Sequence, residues 1–147
     1  MAIKIGNEWW TSPTESDSGK LIMVTGRKGV EEAKESGRYN IRVEITWKYP
    51  GDKSGMPDTP TATIMEAVQD AMMQTFKKDP VAILTGIYTG DGERNWVFYT
   101  KSIHIFEQKI NIALAPFDLL PISIYTENDP NWEEYDEMRE ASEIYGE

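Results

Sequence analysis

Two strand-like runs joined by a short turn, at residues 81–100, constrain the fold of this chain more than any other stretch. Residues 81–88 are apolar on both alternating sides, which predicts an interior strand of a sheet. The turn at residues 89–93 has Gly90 and Gly92 where the backbone needs positive φ, and residues 94–100 return as a second strand. The stretch therefore predicts an antiparallel hairpin within a sheet.

The clearest periodicity in the chain is at residues 40–49, where apolar and polar side chains alternate. The apolar positions are Ile41, Val43, Ile45, Trp47 and Tyr49. A period of two places them all on one face, so the pattern predicts a strand with one wet face and favours antiparallel or mixed pairing.

Two helices are predicted beside these strands. The first spans residues 59–78, with Thr59 or Thr63 as its cap. Its apolar stripe is Ile64, Val68, Ala71, Met72, Thr75 and Phe76. The second follows Ser102 and ends before Pro116, and residues 121–126 form a last strand.

The N-terminal region predicts a hairpin of residues 3–10 and 20–27 around a polar turn at 12–19. Residues 28–37 fit either a loop or a short helical turn. Arg27 and Lys28 lie between two glycines but lack phosphate-loop spacing, so a solvated turn is expected there.

The C-terminal region predicts an acidic helix that opens at Asp129, with Asp129 as its cap. Trp132, Tyr135 and Met138 form a narrow apolar stripe, and a loosely docked appendage is expected. Residues 127–147 carry nine acidic side chains and one arginine, so this region holds a net −8 of the chain's −10.

The element order from residue 40 to 126 is strand, helix, strand, strand, helix, strand. This order predicts an α+β protein with a ferredoxin-like split βαβ sandwich. Its antiparallel sheet is extended by the N-terminal β-hairpin, and the acidic C-terminal helix is added. Residues 1–147 are expected to form one domain, made of 1–39, the core 40–126 and the helix 127–147.

Composition narrows the classes of function. The chain lacks cysteine and has one histidine, His104, so thiolate and multi-histidine metal sites are excluded and no cofactor is expected. The nearly neutral body and the acidic tail argue against nucleic acid as a partner. The tail can attract a basic protein, and solubility alone is the other explanation of its charge. No apolar run is long enough for a membrane span, and no export signal is recognised, which predicts a cytoplasmic protein.

Several short motifs, taken in order, resemble those of one bacterial family. They are Trp47-Lys48-Tyr49-Pro50, Gly55-Met56-Pro57, Thr89-Gly90-Asp91-Gly92, Trp96-Val97-Phe98-Tyr99 and Asp129-Pro130-Asn131-Trp132. The chain resembles, over about residues 9–135, proteins of the "domain of unknown function 695" family. That family is similar in fold to the ferredoxin-like regulator that inhibits ribonuclease E. The resemblance implies protein-binding regulation and brings no catalytic residue.

Candidate chemical sites are few. Asp91, Glu93 and Asn95 alternate like the start of a calcium loop, but Trp96 and Ser102 stand where such a loop needs glycine and glutamate, so no metal is expected. His104 lies off the apolar stripe of its helix and is expected to be an exposed side chain without a catalytic role.

The aromatic residues of the strand at 94–100 raise the main functional question. Two helices cover only one sheet face, so either Trp96 and Phe98 or Val97 and Tyr99 need another cover. We expect the acidic helix, through Trp132 and Tyr135, or a second copy of the chain to provide it. The candidate interaction surface is Trp96, Phe98, Tyr99, Trp132, Tyr135, Arg42 and Arg94.

The sequence thus favours a non-catalytic protein-binding or regulatory module, acting through the open sheet face and the acidic C-terminal segment. An alternative is a small-molecule-binding protein or enzyme whose pocket on the sheet uses Arg42, Arg94 and nearby carboxylates. A homo-oligomeric structural module is the third reading.

Overall fold

A computed structural model describes residues 3–51 and 53–143. The predicted domain ends at residues 1–2 and 144–147 therefore lie outside the described residues. The elements of the described chain are β1 Glu8–Glu15, β2 Leu21–Lys28, α1 Glu31–Glu35, β3 Ile41–Lys48, α2 Thr59–Lys78, β4 Ala82–Gly90, β5 Glu93–Thr100, α3 Ile103–Leu114, β6 Ile122–Asn128 and α4 Glu133–Ser142.

All six strands form one sheet in the order β1-β2-β4-β5-β3-β6, and each neighbouring pair is antiparallel. The predicted α+β class and antiparallel sheet are confirmed. The N-terminal hairpin β1–β2 extends the sheet beside β4, as predicted. The two edges of the sheet are β1 and β6.

The β4–β5 hairpin turns through two residues, Asp91 and Gly92, with φ of 51° and 82°. Positive φ at both positions matches the twist of antiparallel strands, which explains the Asp-Gly pair. Gly90 also has a φ in the left-handed region, at 154°, so the predicted role of both glycines is confirmed. A register shift between Leu84 and Gly86 bends β4.

The N-terminal hairpin differs from its prediction. Strand β1 begins at Glu8 and continues through Pro13 to Glu15, so placing the turn at 12–19 is wrong for its first four residues. Strand β1 pairs only with β2, and proline is tolerated on such an edge strand because its missing N–H faces away from the ladder. The ambiguous residues 28–37 contain the five-residue helix α1.

Helices α2 and α3 cover one face of the sheet, here called the α2/α3 face. They bury a core that includes Val43, Ile45, Trp47, Leu84, Trp96, Phe98, Met65, Val68, Met72, Phe76, Phe106 and Ile110. The bounds predicted for α2 are confirmed, but its cap is Asp58, which accepts from the Thr61 N–H. Ile64 is 45% exposed and Met65 is buried, which corrects the predicted stripe.

Helices α1 and α4 cover part of the opposite face, here called the α1/α4 face. This second core includes Trp10, Val24, Val30, Ala33, Tyr39, Ile83, Val97, Tyr99, Trp132, Tyr135 and Met138. Strand β5 thus contributes alternate side chains to two cores. The prediction of a loosely docked C-terminal helix is wrong, because Trp132 is fully buried.

Candidate functional site

The five aromatic residues of the predicted interaction surface are buried. Trp96, Phe98 and Tyr99 are 0% exposed, as is Trp132, and Tyr135 is 4% exposed. These five aromatic side chains therefore do not form an exposed interaction surface in the described chain.

The cover over the second side of β5 comes from the C-terminal segment. Trp132 stacks on Tyr99 with ring centroids 4.3 Å apart, and Tyr135 meets Trp132 edge to face. The Trp132 indole N–H donates to the carbonyl of Tyr39 at 2.8 Å. Tyr135 donates its hydroxyl to the carbonyl of Arg27 at 2.6 Å. The prediction that Trp132 and Tyr135 cover this face is confirmed.

A buried carboxylate fixes the start of α4. Asp129 Oδ2 accepts from the Tyr99 hydroxyl at 2.6 Å and from the Glu134 N–H at 3.1 Å, while Oδ1 accepts from the Glu133 N–H at 2.9 Å. The prediction that the helix opens at Asp129 is wrong, because α4 begins at Glu133 and its N-cap position is Trp132, with a φ of 56°. The Asp129 carboxylate nevertheless caps the first two helical N–H groups from three residues before that position. Burial, then the hydrogen bond and charge of Asp129, raise the pKa of Tyr99.

Arg42 and Arg94 lie on opposite faces of the sheet. Arg94 shares the face of Trp96, donates its Nε–H to the Thr89 hydroxyl at 2.8 Å, and has its pKa lowered by burial. Val43 faces the core under α2 and α3, so its neighbour Arg42 lies on the α1/α4 face of the sheet. The predicted pocket that uses both arginines is therefore wrong, because the sheet separates them.

Among residues 3–51 and 53–143, no helix covers one half of the α1/α4 face, and this half is polar. Its side chains, here called the open patch, are Arg42, Glu44, Thr46, Tyr88, Glu93, Asn95, Tyr125 and Glu127. The Thr46 hydroxyl donates to Asn95 Oδ1 at 2.6 Å, and Asn95 donates to Glu93 at 3.2 Å. One cross-strand hydrogen bond and one within β5 thus hold Thr46, Asn95 and Glu93 in place.

Arg42 is the central cation of the open patch. Its Nη1 lies 3.1 Å from Glu44 Oε2 and 3.6 Å from Glu127 Oε1, and its side chain is 11% exposed. Burial lowers the pKa of Arg42, but Glu44 and Glu127 outweigh this and raise it above its usual value. The Nε atom is buried without a hydrogen-bond partner among the described residues. The two ion pairs therefore hold Arg42 in place, while its Nε–H donates to no described residue.

Tyr88 joins the open patch to α4. It lines a cavity of about 220 Å³ with Ile22, Asp91, Glu93 and Asn95 at the tip of the β4–β5 hairpin. The pKa of Tyr88 is raised to about 12, chiefly by burial, while Arg42 acts to lower it and Glu134 and Glu44 act to raise it. Tyr88 also packs against the core that α4 covers.

The solvent side of α4 is acidic. Its exposed carboxylates are Glu133, Glu134, Glu137 and Glu140. The remaining charges of the helix are paired: Asp136 binds Lys34 at 2.7 Å, and Arg139 binds Glu31 and Glu143. Glu44, Glu93 and Glu127 lie on the same side of the sheet as α4. Together with the exposed carboxylates of α4 and the guanidinium of Arg42, they are here called the acidic surface.

The other candidate sites are ordinary surface features. Asp91 lies 3.9 Å from Lys20, and His104 is exposed and lies 3.3 Å from Gln108. Across residues 3–51 and 53–143, no group of three or more histidine, cysteine, aspartate or glutamate side chains is placed to hold a metal ion. In the same residues, no helix combines the length and apolarity that a membrane crossing requires.

Sequence reasoning missed Tyr88, Glu44 and the structural role of Arg27. The wet face of the strand at 40–49 was a usable signal for Glu44, since Arg42, Glu44 and Thr46 share that side. Arg27 is not in a solvated turn: it lies in β2, donates its Nε–H to Gly6 and its Nη1–H to Leu84, and is half-buried. Local sequence could not reveal this role of Arg27, because both carbonyl acceptors belong to segments far from it in the chain.

The fold and the acidic surface define an α+β protein with a six-stranded antiparallel sheet, helices on both faces and a polar half-face left uncovered. A family model matches residues 8–138, and the chain belongs to that family, the family of unknown function DUF695. The comparison with curated proteins returned no match, and neither did that with solved structures. The predicted bacterial origin, cytoplasmic location and likeness to the ribonuclease E regulator stay predictions.

Proposed function

We propose that this protein is a non-catalytic binding module that holds a basic segment of another protein on its acidic surface. The observation that supports this most is that the open patch and α4 lie on the same side of the sheet and both adjoin Tyr88. Tyr88 lines a cavity with Glu93 of the open patch and packs against the core that α4 covers. A partner strand or loop laid across Tyr88 meets carboxylates from both elements.

The arrangement suits binding more than solubility alone. Exposed carboxylates scattered over a surface keep a protein soluble, whereas carboxylates gathered around a cavity raise the local concentration of cations and steer a basic partner. Arg42 is ion-paired to Glu44 and Glu127 and offsets one of their two negative charges. Glu93 and the carboxylates of α4 therefore supply most of the charge available to a basic partner. Tyr125, 58% exposed, adds an aromatic contact at the rim of the surface.

We infer in addition that β3 to β6 with α2 and α3 form a ferredoxin-like split βαβ sandwich. The order β4-β5-β3-β6 with antiparallel neighbours supports this, because that fold places its first and last strands side by side. The shared burial of α2 and α3 on one face supports it as well. An experimental structure with these two helices on opposite faces would contradict the inference.

Affinity capture with two charge-matched variants tests the binding function. The first variant, Glu93→Gln with Glu134→Gln, removes one carboxylate from each part of the acidic surface. The second, Asp70→Asn with Glu107→Gln, removes two exposed carboxylates from α2 and α3 on the other side of the sheet. We expect a protein retained by the parent chain to be lost by the first variant and kept by the second. Crosslinking should place its contact in a lysine- or arginine-rich segment.

The salt dependence of the same complex provides a second measurement. An electrostatic complex weakens as salt rises, because added ions screen exposed charges over about 10 Å at 0.1 M. We expect the parent and the Asp70/Glu107 variant to lose affinity in parallel. Equal retention by both variants, or a crosslinked segment without basic residues, would overturn the proposal. Sedimentation of the chain alone separates it from the homo-oligomeric reading.

A further inference from the structure

A second cavity lies away from the acidic surface, where β2 and β4 part. Strand β2 pairs with β4 only as far as Gly26 opposite Gly86, so the first residues of β4 have no partner in β2. Residues 3–7 run beside this gap, and Gly6 donates its N–H to the Gly29 carbonyl at 2.7 Å. A cavity of about 400 Å³ remains between this segment, β4 and the end of α2.

The walls of this cavity are mostly apolar. They include Ile3, Ile5, Met73, Phe76, Leu84 and Phe98. Pockets for small molecules have this character, with an apolar lining, a few polar groups that orient the ligand, and a volume of about 300–1,000 Å³. The cavity therefore has the size and lining of a site for a small apolar body.

The charged groups that line the cavity are both cations, Arg27 and Lys77. Arg27 donates its Nε–H to the Gly6 carbonyl at 2.7 Å and its Nη1–H to the Leu84 carbonyl at 3.2 Å. These bonds use two of the five N–H donors of a guanidinium. Within the described part of the chain, neither Arg27 nor Lys77 is ion-paired to a carboxylate.

The Arg27 guanidinium lies 5.2 Å from the centre of the Trp9 ring, so an aromatic face rather than a carboxylate is its described charge partner. Burial lowers the pKa of Arg27, which is the direction expected when nearby anions do not offset desolvation. Two neutral polar side chains, Asn7 and Gln74, also line the cavity and add hydrogen-bonding capacity. The cavity thus combines two cations with an apolar lining.

We propose that this cavity binds an amphipathic anion, an aliphatic carboxylate of medium length, with its carboxylate on Arg27 and Lys77 and its chain between residues 3–5 and α2. The guanidinium offers paired donors that match a carboxylate, and Lys77 adds a second cation. The site uses none of the residues of the acidic surface, so a test that contradicts one proposal leaves the other unaffected.

Calorimetric titration with decanoate, decanol and decyltrimethylammonium tests the charge requirement. The three probes share one apolar chain and differ in the head group. We expect decanoate to bind at one site and to exceed the affinity of both others by about tenfold or more, as for a charge-assisted hydrogen-bonded pair. Equal affinities for decanoate and decanol would overturn the proposal.

Two neighbouring lysines on α2 give a matched pair of variants. Lys77 lines the cavity and Lys78 does not, and both are exposed, so neither substitution by glutamine should unfold the chain. We expect Lys77→Gln to weaken decanoate binding by about three- to tenfold and Lys78→Gln to leave it within about twofold, as for loss of one charge contact. Equal effects of the two variants would contradict the site.

Methyl-resolved NMR locates the bound probe. We expect decanoate to shift the methyl resonances of Ile5 and Leu84, which line the cavity. A separate apolar surface, where Ile64 is 45% and Leu119 fully exposed, serves as the internal control. Shifts confined to Ile64 and Leu119 would mean adsorption to exposed apolar surface, and would overturn the proposal.

Discussion

The Tyr99 hydroxyl donates a 2.6 Å hydrogen bond to Asp129, and this contact ties the central strand β5 to the first turn of α4. Asp129 is 6% exposed, and its two oxygens also accept from the N–H groups of Glu133 and Glu134. One carboxylate therefore satisfies three donors. The position of the acidic surface on α4 depends on it.

Removal of the Tyr99–Asp129 contact should destabilise the protein cooperatively. We expect Asp129→Ala to lower the free energy of unfolding by about 2–3 kcal/mol, because it removes a cap and leaves a buried hydroxyl without its acceptor. Tyr99→Phe should cost less, and a double-mutant cycle should show a coupling of about 1–2 kcal/mol. Urea unfolding measures all three. Tyr125→Phe, which breaks an exposed hydrogen bond to Glu127, is the control and should change little.

Trp132 should be among the most important side chains for stability. We expect Trp132→Ala to cost about 3–5 kcal/mol, because it removes a fully buried ring stacked on Tyr99 and opens a cavity. The control Tyr125→Ala, at a residue 58% exposed, should stay within about 0.5 kcal/mol. Chemical denaturation and near-ultraviolet circular dichroism compare the two. A small effect of Trp132→Ala would mean that α4 does not cover β5 in solution.

Gly26 should not tolerate a side chain. A Cβ at this position would overlap the indole ring of Trp10, which is itself fixed by a 2.8 Å hydrogen bond to the Ser142 hydroxyl. We expect Gly26→Ala to cost about 3 kcal/mol, the upper part of the range for overpacked cores. Gly37→Ala is the control, since nothing lies within 4 Å of its Cβ and only its φ of 69° is unfavourable. It should cost about 1 kcal/mol. Thermal unfolding compares the stability of the two variants. Equal losses of stability would contradict the role of Trp10.

Alkaline pH should unfold the protein through its buried tyrosines. Burial raises the pKa of Tyr88 and of Tyr135 to about 12, above the value near 10 expected in the unfolded chain. Between these values the unfolded chain has released protons that the folded chain still holds, so stability falls as pH rises from about 10 to 12. Each tyrosine should contribute about 1.4 kcal/mol per pH unit in that window.

Tyrosinate absorbance, recorded as the pH rises, follows the ionisation of the tyrosines that accompanies this loss of stability. Tyr88→Phe should remove the contribution of one tyrosine and make the loss of stability with pH less steep. The exposed Tyr125 is the comparison, because Tyr125→Phe removes a tyrosine from the surface of the same sheet. If the two variants change the slope equally, the burial of Tyr88 does not control the alkaline transition.

The local elements of this protein are largely encoded in local sequence. Three elements follow from patterns among neighbouring residues. Strand β3 follows from the alternation at residues 40–49, the β4–β5 hairpin from the Asp-Gly turn, and α3 from the cap at Ser102. The errors occur where a distant segment decides. Pro13 lies within a strand because β1 is an edge, and Arg27 is half-buried because Gly6 and Leu84 present carbonyls to it.

Local sequence is enough to show that the aromatics of β5 divide between the two sides of the sheet, because a strand alternates its side chains. It also identifies Trp132 and Tyr135 as a possible cover for one side. The extent of that cover follows from tertiary contacts. Asp129 and the Tyr39 carbonyl position α4 over Tyr99, so the uncovered remainder is the polar half around Arg42 and Tyr88. Which groups remain exposed depends on contacts between residues far apart in the chain, and local periodicity does not contain that information.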